Sequence, residues 1–552
     1  MKSYVFILFD TYKHLVMNMR FKYFFALAIL VSFLYAAQGV TLIRVDECKN
    51  FKLNSSNKYI IELNSDISFS GTCFNISKSK DVEFDCKGHS LSNGYSAFNI
   101  SNSENILIKN CKIINTYIGV YSTRSKNIDV KELLALYNKK SAVFIDSVQQ
   151  ITVEKTEINN TYATSQDPGG NYAEFCNISN EKFESGIILC HSENIKLLEN
   201  SINGNGTCSL YYDCINNHNG QETAIALYDT HGGEISRNKI KNVDTYGTIH
   251  YYSSKIIYKD NFVDGIVIGN KALPYNINDG IKLDHSWNFT VANNLHKNTN
   301  EWGIFLTNSN NSRIINNSVS DNLMVGIRVA EGSHNEVINN TARKNGGLSF
   351  ERNAGIFVES PYTIVSGNTV YENYNGIVLY GENGNYAIVK DNIVYNNQKF
   401  QLNSSSTNCL IYNNIFNASA GQGVVYDSGS NYWNTSYSCS TPNIIGGNCM
   451  GGNFYSDYSG TDSDGDGIGE TPYYLPGGSN VDFLPLTNQR SRLIDVPAPV
   501  IGMPTKKDKV RQQPINQTIH KAVSALPKSI TPASSSVTAQ NFSSQIVEIK
   551  NK

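Results

Sequence analysis

Gly280-Ile281-Lys282-Leu283 returns as Gly303-Ile304-Phe305-Leu306, Gly326-Ile327-Arg328-Val329, Gly355-Ile356-Phe357-Val358 and Gly376-Ile377-Val378-Leu379, at steps of 23, 23, 29 and 21 residues. About ten to fifteen residues after each glycine comes a second phrase, an Asn beside an aliphatic residue, as in Ile315-Asn316-Asn317, Ile338-Asn339-Asn340, Gly367-Asn368-Thr369-Val370 and Asp391-Asn392-Ile393-Val394. A fixed period of this size is the signature of a solenoid, because each repeat buries its apolar face only against the next. The phrases alternate polar or small with aliphatic, the period-two pattern of a strand with one buried face. They are too short and too rich in β-branched residues for helices, and Gly and Asn punctuate them. A turn of about 22 residues holds two or three short strands, each lying parallel to its copy roughly 4.8 Å away. Ile281, Ile304, Ile327, Ile356 and Ile377 then form an inward column. The recurrent Asn fits the bends, since it tolerates left-handed backbone and its amide can bond the Asn one turn above. The expected fold is all-β, a right-handed parallel β-helix of about a dozen turns over residues 81–430.

Outward from this stretch, weaker copies of the first phrase occur at Gly119-Val120, Ser141-Ala142-Val143-Phe144, Gly186-Ile187-Ile188-Leu189, Ala224-Ile225-Ala226-Leu227 and Gly247-Thr248-Ile249-His250. The spacing stretches between them, so Thr161 to Phe183, Gly204 to Gln221 and Ile266 to Asn278 read as loops leaving the body, on the face where repeat proteins carry function. Residues 40–80 precede the first clear turn and read as an N-terminal cap, and residues 431–487 as a C-terminal cap over the other open edge. Residues 1–39 read as an export signal: Arg20 and Lys22 precede the apolar run Phe24 to Tyr35, and Ala37-Gln38-Gly39 offers small residues for cleavage. Met19 would open a signal of ordinary proportions. Uncleaved, Phe24 to Val40 would serve as a membrane anchor. Either way the body is expected outside the cytoplasm, secreted, at the cell surface or periplasmic.

The chain has 552 residues and a net charge of −2, which excludes a general nucleic-acid binder. Residues 490–552 hold ten Lys/Arg against three Asp/Glu, leaving residues 1–489 near −9. The segment 488–552 reads as a disordered basic tail, a contact arm for an acidic envelope or membrane. Eleven Cys without a Cys-x-x-Cys phrase suit disulfides, not zinc or redox catalysis. Cys86 and Cys111 stand one turn apart in matching phrases, and Cys48 with Cys73, Cys208 with Cys214 and Cys439 with Cys449 are further expected pairs. The odd count leaves at least one Cys over. More than a dozen Asn-x-Ser/Thr sequons, among them Asn75, Asn99, Asn177, Asn288 and Asn434, permit glycosylation.

Aligned turns place outward residues in columns. One holds Tyr228, Tyr251, Asp284, Thr307, Ala330, Glu359 and Tyr380; the next holds His191, Asp229, Tyr252, His285, Asn308, Glu331 and Ser360. Beside them Lys282, Phe305, Arg328 and Phe357 point outward between buried aliphatics. Flat apolar rings flanked by carboxylates and hydrogen-bonding groups are what a sugar chain needs, so Tyr228, Tyr251, Lys282, His285, Phe305, Arg328 and Phe357 are the candidate glycan-binding residues. Glycoside cleavage needs two carboxyls at a set separation, and Asp279 with Glu301, or Asp284 with Glu331, are the candidate catalytic pairs.

These repeats resemble the right-handed parallel β-helix proteins of the carbohydrate-binding and sugar-hydrolase group, including the NosD-type periplasmic proteins. Ser70-Gly71-Thr72-Cys73-Phe74, Phe84-Asp85-Cys86-Lys87-Gly88-His89, Gly452-Asn453-Phe454-Tyr455-Ser456-Asp457-Tyr458 and Asn480-Val481-Asp482-Phe483-Leu484-Pro485-Leu486 are similar to the ends of archaeal-type exported β-helices. The likeness covers residues 45–487 and implies fold far more than function. Asn278-Asp279-Gly280-Ile281 is similar to the Asn-Thr-Asp-Gly phrase of polygalacturonases, but Glu301-Trp302 stands where they carry paired aspartates, and their later Gly-His-Gly and Arg-Ile-Lys phrases are missing. Polysaccharide binding is therefore the expected function, with hydrolase or lyase activity as the alternative and a purely structural surface role as a further one. The NosD likeness also implies copper handling, for which only the dispersed His231, His250 and His285 and a few Met are on offer.

The last motif is local. Asp462-Ser463-Asp464-Gly465-Asp466-Gly467-Ile468-Gly469-Glu470 sets carboxylates at alternate positions of a loop that Gly467 lets bend sharply. Asp462, Asp464, Asp466, the Ile468 carbonyl and Glu470 are the expected ligands of a structural calcium, with Asp457 or Asp482 completing the shell.

Overall fold

The computed structural model describes residues 39–487 apart from 55–56, 160–175, 177–184, 205–222, 244, 266–278 and 348–351. The expected export signal, the three expected loops, the Cys208–Cys214 pair, Asn177 and the basic tail lie wholly or almost wholly outside these residues. The chain divides into residues 1–490 and 491–552, and every described residue belongs to the first unit.

Parallel pairing governs the described body as far as Phe454–Tyr455. Three long sheets of 16, 15 and 15 strands run its length, each strand paired with its copies one turn before and one turn after. This is a right-handed parallel β-helix. We call the sheet that contains Asp279–Asp284, Trp302–Asn310, Val325–Ser333, Ala354–Glu359 and Asn375–Leu379 the site sheet. Its register joins Ile281 to Ile304, Ile304 to Ile327, Ile327 to Ile356 and Ile356 to Ile377. All five are fully buried.

The glycine that opens each phrase has a packing cause. A Cβ on Gly326 would stand 2.6 Å from the Gly355 carbonyl oxygen and 2.7 Å from Asn345 Nδ2, closer than real atoms pack. The Asn doublets divide two tasks that the sequence reading gave to one residue. The first member, as Asn293, Asn316 and Asn339, takes the left-handed backbone of the corner. The second turns inward and builds a ladder: Asn294 Nδ2 donates to Asn317 Oδ1 at 2.9 Å, Asn317 to Asn340 at 2.9 Å and Asn340 to Asn368 at 3.0 Å. Each amide also donates to a main-chain carbonyl, as Asn317 Nδ2 does to Val291 O at 2.9 Å, so no polar atom of the ladder is stranded in the core. The ladder runs on to Asn453 and ends on Asp482, whose Oδ2 accepts the Asn453 N–H at 2.8 Å and the Tyr455 hydroxyl at 3.0 Å.

The stack is longer than a dozen turns because the expected caps take part in it. Val40–Val45 already pairs in parallel with Lys58–Leu63, and Lys49–Phe51 with Thr72–Ser77. At the far end Phe454–Tyr455 pairs in parallel with Ile415–Asn417, while Trp433 and Tyr455, both buried, cover the last apolar layer against Phe416. Beyond them lies an antiparallel pair, Tyr473–Tyr474 with Val481–Asp482. Disulfides join Cys48 to Cys73, Cys86 to Cys111 and Cys439 to Cys449 as expected, and a fourth joins Cys176 to Cys190. Cys409 is free and buried.

Candidate functional site

The outward columns align as the repeat requires. Ile249, Lys282, Phe305, Arg328 and Phe357 are successive register partners, and so are Tyr228, Tyr251, Asp284, Thr307, Ala330 and Glu359. The first row alternates ring and cation. The Lys282 ammonium lies 5.7 Å from the Tyr246 ring, 5.8 Å from Tyr251 and 5.8 Å from Phe305. The Arg328 guanidinium lies 4.8 Å from Trp302, 5.2 Å from Phe305 and 5.7 Å from Phe357. Cation–ring attraction of this kind strengthens where water is excluded. Phe305 and Phe357 were expected as sugar platforms, but Phe357 is only 2% exposed. They form the floor on which the cations rest, and the half-buried Trp302, Tyr251 and Tyr380 are the rings that face solvent.

Each cation has one carboxylate partner at the far side of the row. Lys282 Nζ stands 3.3 Å from Asp284 Oδ2, and Arg328 Nη2 donates to Glu359 Oε2 at 2.8 Å. On the near side lie Asp279 and Glu301, the pair that the sequence proposed from opposite ends of one turn. Asp279 starts its strand in register with Tyr246, and Glu301 immediately precedes Trp302. Asp279 is fully buried and Glu301 is 6% exposed. Among the described residues neither Asp279 oxygen, nor Glu301 Oε2, nor Arg328 Nε completes a hydrogen bond of normal geometry.

Burial, and then the neighbouring Glu301, push the Asp279 carboxyl well above its ordinary range, with Lys282, the Trp302 N–H and Arg328 offsetting only part. Burial raises Glu301 to about 7 against the pull of Arg328 and Lys282. Two carboxyls raised in this way beside two cations, with Glu301 near neutrality, form a group that can hold and pass a proton.

The second expected pair is not assembled in this way. Asp284 is engaged by Lys282 and by His285, whose Nδ1 lies 2.6 Å from Asp284 Oδ1. Glu331 instead accepts from Thr307 Oγ1 at 3.2 Å and Asn308 Nδ2 at 3.1 Å. His285, Tyr252 and Glu331 all occupy left-handed corner positions, so that column follows the bend of the chain. Tyr228 packs edge-on to Tyr252 at 5.7 Å, two turns from the Lys282–Arg328 row. The three histidines considered for copper do not converge. His250 points into the core, where burial lowers it to about 3, whereas His231 meets Asp229 and Ser254 and His285 meets Asp284 at the surface. Tyr246 escaped the sequence reading because the phrases were read from their glycines. The residue before each glycine, as Tyr246, Asp279 and Trp302, borders the row, and reading one position earlier would have found it.

In the acidic loop, ligand oxygens of Asp462, Asp464 and Glu470 lie within 4.8 Å of one another. This all-oxygen set fits a hard cation. Asp466 accepts the Ile468 N–H at 2.8 Å, as Asp462 accepts the Gly467 N–H at 2.9 Å. Of the two shell candidates, Asp482 closes the Asn ladder and Asp457 accepts the Tyr473 hydroxyl at 3.0 Å.

Three wound parallel sheets with this row on one of them place the chain among the parallel β-helix proteins. Its residues 267–460 match the family model of NosD, described as a periplasmic copper-binding protein. No curated protein matches the sequence. Among solved structures, the periplasmic alginate epimerase AlgG is similar at 13% identity and a TM-score of 0.32, over 71% of this chain and 78% of that one. The Azotobacter vinelandii mannuronan C-5 epimerase AlgE6 A-module is similar at 13% identity and 0.40, over 68% and 89%. PfbA, a surface adhesin of Streptococcus pneumoniae, is similar at 12% and 0.34, over 67% and 86%. Among the described residues no helix is long and apolar enough to cross a membrane.

Proposed function

We propose that this is an exported β-helix protein that binds a polysaccharide along the outer face of the site sheet. The observation that carries the reading is the row Tyr251, Lys282, Trp302, Arg328 and Tyr380, in which rings and fixed cations succeed one another turn by turn with carboxylates on both sides. A sugar chain repeats along one direction as the row does, and it presents apolar ring faces and hydroxyls to match. The four disulfides among the described residues are in keeping with an oxidising compartment. The test is retention of the purified protein on a panel of immobilised neutral and acidic polysaccharides. Retention should fall at least about tenfold in Trp302→Ala, which removes about 1.4 kcal/mol or more of stacking. If no polysaccharide in the panel is retained, the reading fails.

The Asp279–Glu301 pair supports a second reading, cleavage of the bound chain by hydrolysis or elimination. New reducing or unsaturated ends, lost in Asp279→Asn, would establish it, and retention without new ends would leave the protein a binder.

A structural calcium in the 462–470 loop, held by Asp462, Asp464 and Glu470, completes the proposal. Calcium should raise the melting temperature by several degrees, and Asp464→Ala should abolish the shift while Asp466→Ala only reduces it. A melting curve indifferent to calcium in the unaltered protein removes the site.

A further inference from the structure

We propose that Asp279, Glu301 and Arg328 form a subsite for a carboxylated sugar, a uronate unit of the glycan, and that this unit is taken up together with a proton. The inference rests on the reading of the side face as a glycan-binding surface.

The geometry supplies donors with nothing to donate to. Arg328 Nε–H is buried and unpartnered among the described residues, and its Nη2 is already committed to Glu359. Both Asp279 oxygens and Glu301 Oε2 are buried as well, and apart from the Trp302 N–H, which approaches Asp279 without completing a bond of normal geometry, none has a partner among the described residues. A protonated carboxyl contributes an O–H donor, so in that state the three side chains present two O–H groups and one N–H. A sugar hydroxyl can accept only part of this. A carboxylate, with two oxygens and about four lone-pair positions, can accept all of it.

Charge bookkeeping points the same way. Lys282 with Asp284 and Arg328 with Glu359 cancel pairwise, so with Asp279 and Glu301 protonated the cluster is neutral and accepts one added negative charge beside two cations. Once Glu301 ionises, two carboxylates would face each other where water is excluded, and like charges that close cannot both persist. Ligand and proton therefore bind together. The groups that act on Asp279 and Glu301 are Lys282, on the strand that Asp279 opens, and Arg328, two strands on, with the Trp302 N–H beside Asp279; Asp284 and Glu359 pair with Lys282 and Arg328 across the row, and Tyr246 and Tyr251 lie against Lys282. Of these, Glu301 is the group raised to about 7. The His285 imidazole meets Asp284 beside them.

The experiment is calorimetric titration of the whole protein with oligogalacturonate and with the same oligomer methyl-esterified, at about pH 5.5 and about pH 8. The acid form should bind about tenfold or more weakly at the higher pH, since a one-proton linkage costs up to tenfold per unit above the titration point. The ester should bind weakly and without pH dependence. Glu301→Gln should bind the acid form equally at both pH values, and Arg328→Gln should lose the preference for acid over ester. Melting curves establish that each variant is folded. Equal affinity for acid and ester, a pH dependence that survives in Glu301→Gln, or retention of neutral glycans only would each overturn the subsite while leaving the broader glycan reading intact. Retention of no glycan at all overturns both.

Discussion

Ile327→Asp should yield no folded protein. Ile327 is fully buried, with Ile304 and Ile356 as its register partners above and below. Losing the side chain forfeits about 1.5–3 kcal/mol of apolar burial. Placing a carboxylate there adds several kcal/mol more, because no partner in the aliphatic column can compensate it. Against a total stability of about 5–15 kcal/mol the change is decisive. In a solenoid it also cuts the stack in two, since each turn is held by its neighbours. Circular dichroism and soluble yield measure the outcome. Ile327→Val, costing about 0.5–1.5 kcal/mol, is the control that retains the fold. An Asp variant that melts within a few degrees of the parent would show that this column is not the core.

What the sequence made legible is what the repeat repeats. The inward isoleucines, the outward order Lys282, Phe305, Arg328, Phe357 and two of the disulfides, Cys48–Cys73 and Cys86–Cys111, follow from period and phase alone, because stacking converts sequence spacing into contact. Features outside the period were harder to read. Cys176–Cys190 joins a residue beyond the regular phrases to the end of a strand, so no phase relation announces it. Asp482 read as a metal ligand because it lies near an acidic loop; in the fold it ends the Asn ladder, a role set by an edge that no repeat encodes. Phe305 and Phe357 were placed on the right face, yet alternation cannot tell a ring open to solvent from one beneath an arginine. Asp279 and Glu301 could be paired by spacing, but their burial at a corner of the helix, which decides their chemistry, comes from residues one and two turns away.

That burial makes the stability of the protein depend on pH, with a sign that Glu301 decides. Its folded value stands near 7 against an ordinary 4.5, so the folded state holds this proton more tightly than the unfolded chain does. The resulting stabilisation is complete below about pH 4.5, shrinks as pH rises and is gone above about pH 7. Asp482, raised from 3.8 to about 7 by burial at the end of the ladder, adds a loss of the same sign over the same window. The shifts correspond to about 3 kcal/mol for Glu301 and about 4 kcal/mol for Asp482. Stability measured by urea unfolding should therefore fall between about pH 4 and pH 7.5. Glu301→Gln carries the neutral shape of the protonated side chain at every pH. It should match the parent near pH 4 and exceed it by up to about 3 kcal/mol near pH 8, removing the Glu301 share of the fall. The same substitution removes the titrating group of the site, so gained stability at high pH would come with an altered ligand response, as expected where a group is buried for function at a cost to the fold. If Glu301→Gln instead destabilises equally at both pH values, Glu301 serves as a structural anion and its burial does not hold the proton.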